Sequence, residues 1–193
     1  MLKRILCAAL ASGALVLSGS VTAQELKIAL IAGKTGPLEA YAKDTEKGFM
    51  LGLEYLTNGT MALNGRKIRV IVKDDQLKPD LGKAMLAEAY ADDKVDIAVG
   101  TTSSGVALAM LPVAEEYKKV LIVEPAVADA ITGDKWNRYI FRTGRNSAQD
   151  GLASAATLMG GGSVAYLAQD YAFGRDGVKA GKEALAAVGS KAR

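Results

Sequence analysis

The chain has 193 residues, half of them apolar, with 23% charged residues, 21 Gly and 4 Pro, a balance that excludes disordered, collagen-like and polytopic membrane classes. The formal charge of +3 is too small for a dedicated polyanion or nucleic-acid surface. There is no histidine and only one cysteine, Cys7, so His-dependent catalysis, His-containing zinc sites and intrachain disulfides are all excluded.

The start of the chain predicts an export signal. Lys3 and Arg4 precede an apolar run over 5–17, then small residues with Val21 and Ala23 at the minus-three and minus-one positions of a cleavage site. The run is shorter than the ~20 residues of a membrane span. Residues 1–23 are therefore read as a cleavable signal peptide, with a mature amino terminus at Gln24. Residues 24–193 are cysteine-free and nearly neutral.

From there apolar strands alternate with amphipathic helices. The patterns predict strands over 26–31, 67–73, 95–100, 120–123, 139–141 and 163–168. Helices are predicted over 41–56, 79–92, from Ser104 with a break or bend at Pro112, 149–159 and 174–187, with a glycine break at 160–162. Strand–helix alternation at this spacing predicts an α/β fold, a Rossmann-like parallel sheet flanked by helices.

Catalytic and cofactor motifs do not assemble. Gly33-Lys34-Thr35 lacks the earlier glycine of a P-loop, because that position is Ile28. No GxGxxG or Gly-x-Ser-x-Gly occurs, and Asp74-Asp75 offers too few converging ligands for a metal. No cofactor and no metal site are expected. Asn58-Gly59-Thr60 reads as a turn.

The informative segments are the loops after strands, where open α/β sheets bind ligands. Thr101, Thr102, Ser103 and Ser104 are four consecutive hydroxyls running into a helix start, suited to a carboxylate or other small anion. Plain helix capping is the competing reading, although one Ser or Thr satisfies it. Around Ala126, Val127 and Ala128 small side chains leave backbone groups open to a ligand. Glu124 has two readings, a cation contact or a structural pair.

In order and spacing these segments resemble the solute-binding proteins of branched-chain amino acid ABC transporters. The resemblance is carried by Lys27-Ile28-Ala29, Thr35-Gly36-Pro37, Tyr41, Lys47-Gly48, residues 100–104, Pro112-Val113-Ala114-Glu115, Pro125-Ala126, Phe141-Arg142-Thr143 and Asp170-Tyr171-Ala172-Phe173-Gly174. It implies a type I periplasmic binding protein: two α/β lobes that close on a small ligand and then dock on a membrane ABC permease, without catalysis and without nucleic acid. By position it implies ligand contacts at Tyr41, Thr102, Ser103, Ser104, Ala126, Val127, Ala128 and Phe173.

Two departures make the implied site more apolar. Ala128 stands where amino acid binders of the family usually carry threonine, and Phe173 stands where a tyrosine often precedes the glycine. Phe173 is read either as a ligand contact or as packing. A branched-chain or related amino acid is the expected ligand, with a small aromatic or other organic acid as the alternative. The resemblance also implies members about twice as long. On it, residues 24–143 form the N-terminal lobe and 144–193 an incomplete start of the second, with apolar second-lobe surface exposed. Two other classes share parts of this pattern. One is a receptor's ligand-sensing domain, and the other a secreted α/β enzyme working through Asp74, Asp75, Glu124 and Asp170.

Overall fold

The structure, a computed structural model, describes residues 24–158 and 162–189. The export-signal reading of 1–23 lies outside the described residues. Six strands form one sheet: β1 (Leu26–Ala32), β2 (Ala62–Leu63), β3 (Arg66–Asp74), β4 (Ile97–Gly100), β5 (Val120–Val123) and β6 (Ile140–Arg142). Their order is β2-β3-β1-β4-β5-β6, parallel throughout except for the β2–β3 hairpin. The helices are α1 (Glu39–Leu56), α2 (Pro79–Ala91), α3 (Ser104–Tyr117), α4 (Ser147–Thr157) and α5 (Ala172–Ala187).

Alternating side chains send β1 into both layers. Ala29 and Ile31 join Ala98, Leu121 and Val123 beneath Leu86 and Ala89 of α2 and Val106, Met110 and Leu111 of α3. Ile28 and Leu30 face the other way, with Val99, Ile68 and Leu53 of α1. Burial on both faces explains why β1 reads as an almost unbroken apolar run. β3 is less one-sided than its alternation suggests, because Ile71 packs into the α2–α3 layer while Val70 packs with α1.

The chain moves from β1 to β3 on one side and to β4 on the other, so the order reverses between β1 and β4. That reversal opens a crevice at the carboxyl ends of these strands. The register places Ile31 beside Gly100, and Ala32 beside Asp74.

Three expectations change. Residues 163–168 do not form a strand: they carry no ladder, and Leu167 is fully exposed. A strand exists by pairing, and among the described residues none pairs with this one. Leu152 and Tyr166 are also exposed. Second, α3 continues through Pro112 to Tyr117, since Leu111, Val113 and Ala114 are buried and offset the missing N–H. Third, the two-residue β2 and the 3-10 turn Asp129–Ile131 add to the elements expected from the pattern, both too short to carry a periodicity. Among the described residues no helix is long and apolar enough to cross a membrane.

Candidate ligand-binding site

The loops at the β1–β4 crevice are pinned by side chains from β3 and its loop. Asp74 accepts from the Lys34 N–H (2.8 Å), the Thr35 hydroxyl and the Gln76 N–H (3.0 Å). Burial alone raises its carboxyl, but those donors hold it below the ordinary value. Asp75 is fully buried and accepts from the Thr101 hydroxyl and the Leu77 N–H (2.8 Å). Here burial wins over the donors and pushes the carboxyl up, with Asp74 adding to the rise. The paired aspartates are thus braces that hold the loops after β1 and β4. Among the described residues no group of three His, Cys, Asp or Glu could hold a metal ion.

The raised Asp75 has a measurable consequence. Its contribution to stability is complete below the ordinary carboxyl value of 3.8 and is lost as pH rises through the raised folded-state value. Asp75→Asn keeps an acceptor for Leu77 and can donate to Thr101. In urea unfolding it should therefore be more stable than the parent at neutral pH, with the difference shrinking as pH falls towards 4. A difference that grows on acidification would refute this account of Asp75.

Above the braces, the Gly33 N–H donates to Thr102 Oγ1 at 3.2 Å and ties the two loops across the crevice. Helix α3 then begins without a side-chain cap: Ser103 occupies the cap position but makes no such bond. The first backbone bond runs from the Ala107 N–H to the Ser103 carbonyl at 2.9 Å. The N–H groups of Ser104, Gly105 and Val106 stand ahead of that ladder, at the positive end of the helix.

Ser104 is nearly fully buried, and its Oγ accepts from the Val127 N–H (3.3 Å) and the Ala128 N–H (3.2 Å). With both acceptor positions occupied, its own proton is free for a ligand oxygen. For Val127 and Ala128 this corrects the expectation of open backbone at 126–128. The Val127 and Ala128 N–H groups are held by Ser104, and their carbonyls accept from the Arg142 guanidinium at 2.9 Å each.

A cleft of about 170 Å³ lies over this arrangement. Of the residues singled out in the sequence, it is lined by Tyr41, Thr102, Ser104, Ala126, Val127 and Phe173. Ser103 and Ala128 are buried but do not line it. Tyr41 stands in the first turn of α1 and Phe173 in the first turn of α5. Glu124 does not line the cleft either: it accepts from the Thr143 hydroxyl, which favours its structural reading. Asp170 pairs with Arg175 at 2.7 Å, far too exposed for a buried general acid.

Five further residues line the cleft: Leu38, Arg145 and Gln169, and also Pro125 and Tyr171, which lie in segments that carry the resemblance without being singled out as contacts. Tyr171 stands two residues from Phe173, with ring centroids 5.9 Å apart, and burial raises its phenol, with Tyr41 adding to the rise. Helix α5 is attached to the β5 loop, since Asp176 accepts from the Asp129 N–H at 2.9 Å. That contact brings Tyr171 and Phe173 over the crevice.

A family model described as periplasmic binding protein matches residues 25–192. The chain belongs to that family. Among curated periplasmic binding proteins, it is 29% identical over 126 residues to the leucine-, isoleucine-, valine-, threonine- and alanine-binding protein of Pseudomonas aeruginosa, covering 65% of this chain and 33% of that protein. A solved ABC-type branched-chain amino acid transporter protein from Rhodopseudomonas palustris CGA009 is 70% identical, with TM-score 0.73, over 87% of this chain and 45% of that one. An ABC transporter solute-binding protein from R. palustris BisB5, solved with 3,4-dihydroxybenzoic acid, is 32% identical with TM-score 0.73, over 88% of this chain and 46% of that one. The chain spans about a third of the length of the curated relative and less than half of each of these structures. The expected type I periplasmic binding fold is the fold observed, a parallel sheet flanked by helices.

Proposed function

We propose that this chain captures a small carboxylate-bearing ligand as part of the extracytoplasmic solute-binding subunit of an ABC importer, and presents it unaltered to a membrane permease. On this reading residues 1–23 direct export to the periplasm and are cleaved. Residues 24–143 form the first lobe and 144–193 the opening of the second. The curated relative is a binder of branched-chain and other small amino acids, and solved neighbours hold 3,4-dihydroxybenzoic acid or benzoate. Both ligand classes share a carboxylate.

The observation that carries the reading is the uncapped start of α3 beside the Thr102 and Ser104 hydroxyls. Converging neutral donors at a helix N-terminus stabilise a carboxylate without requiring a proton transfer. Tyr41, Ala126, Val127, Tyr171 and Phe173 then enclose the rest of the molecule. Tyr41 is 63% exposed at the cleft, so the ligand stays partly wet and affinity should be modest. Leucine or benzoate at millimolar concentration should raise the thermal midpoint of the chain by mass action, and the ligand should be recovered chemically unchanged. If neither carboxylate shifts the midpoint, the binding role fails; conversion of the ligand would instead favour an enzyme.

A further inference from the structure

The charges around the cleft separate the two ligand classes. Its lining contains one cation, Arg145, and no Asp or Glu, while Tyr41, Tyr171 and Phe173 supply three aromatic rings. Arg145 stands one residue before Asn146, the cap of α4, whose start is fixed by a reciprocal cap. The Gln149 N–H donates to Asn146 Oδ1, and the Asn146 N–H donates to Gln149 Oε1, both at 2.9 Å. Both oxygens of Asp150 accept from Arg145 Nε, at 2.9 and 3.0 Å. The guanidinium is thus gripped at its inner nitrogen. Its two terminal nitrogens donate to no acceptor among the described residues.

We propose that Arg145 sets the specificity of this cleft, selecting an aromatic carboxylate that lacks an ammonium group over a zwitterionic α-amino acid. The inference rests on the ligand-binding reading above. The two terminal amino groups form a planar fork that matches a carboxylate, and the three rings provide apolar walls for a flat ligand. An α-amino acid carries its ammonium beside its carboxylate. Inside this cleft that ammonium meets a guanidinium and no lining carboxylate, and burying it unpaired is unfavourable. Asp150 could serve it only by releasing Arg145. The Arg145 side chain is 57% exposed, so solvent screens the effect and the discrimination is moderate.

The test is a titration of the full chain with benzoate, its neutral isostere benzamide, and leucine, followed by ligand-observed NMR. The parent should bind benzoate about tenfold more tightly than benzamide, and more tightly than leucine. Arg145→Gln should weaken benzoate about tenfold and leave benzamide unchanged, while Arg145→Lys should retain part of the preference. An equal loss for benzoate and benzamide in Arg145→Gln would show a merely structural residue and overturn the proposal. Tighter binding of leucine than benzoate by the parent would overturn it while leaving the ligand-binding role standing. Binding of none of the three would defeat both.

Discussion

Gly100→Ala is expected to lower the stability of the protein by about 3–5 kcal/mol, among the largest effects of any single substitution in this chain. Gly100 closes β4 with φ +145°, a backbone conformation that side chains rarely adopt. An added Cβ would stand 2.0 Å from the Ile31 carbonyl oxygen. That oxygen belongs to β1, which is paired on both sides, so it has nowhere to retreat. Relief requires β4 to move away from β1, which opens the crevice on which the cleft is built. The thermal midpoint should fall by roughly 10 °C, and ligand binding should be lost with it. Gly52→Ala is the control: α1 leaves open space around that position, and helix propensity alone should stabilise by about 0.5–1 kcal/mol. Comparable midpoints for the two variants in urea unfolding would contradict this account.

Ser104→Ala is the second large effect, and it should act on stability and binding together. The substitution removes the acceptor of two buried N–H groups, those of Val127 and Ala128, at a cost of about 2 kcal/mol or more. It also removes the hydroxyl proton available to a ligand carboxylate, which should weaken binding by about 10- to 100-fold. Ser103→Ala tests the neighbouring hydroxyl. Ser103 makes no capping bond and does not line the cleft, so its loss should change stability by no more than about 0.5 kcal/mol. The reverse ranking would mean that the two serines exchange roles.

That pair of serines also illustrates what is legible in the sequence. The run from Thr101 to Ser104 announces a helix start with surplus hydroxyls, because it follows an apolar strand and precedes a periodic apolar segment. Which hydroxyl faces the cleft depends on where Val127 and Ala128 arrive from across the sheet, and no local pattern carries that. Burial on both faces gives β1 and β5 strong apolar signals. Residues 163–168 carry a similar signal, but strand formation needs a partner that the described residues do not supply.

Arg145 and Tyr171 escape sequence reasoning for a related cause. Arg145 sits in a polar stretch before a helix cap and looks like an ordinary surface charge. Only the passage of the chain from β6 to α4 carries it to the cleft mouth. Tyr171 lies within the same motif as Phe173, and the attachment of α5 to the β5 loop through Asp176 brings it to the cleft that Tyr41 also lines. The role of Asp74 and Asp75 is hidden similarly: adjacent carboxylates at a strand end are ambiguous until the loops they brace are known.

On the proposed function, a carboxylate binds at the β1–β4 crevice against the start of α3. Backbone amide shifts, recorded while nitrogen-labelled protein is titrated with benzoate, test it most directly. Saturating shifts are expected at Gly105 and Val106, tracing the same curve as shifts at Tyr171. Saturating binding that leaves Gly105 and Val106 unmoved, and instead perturbs the sheet face around Phe49 and Ile122, would contradict it.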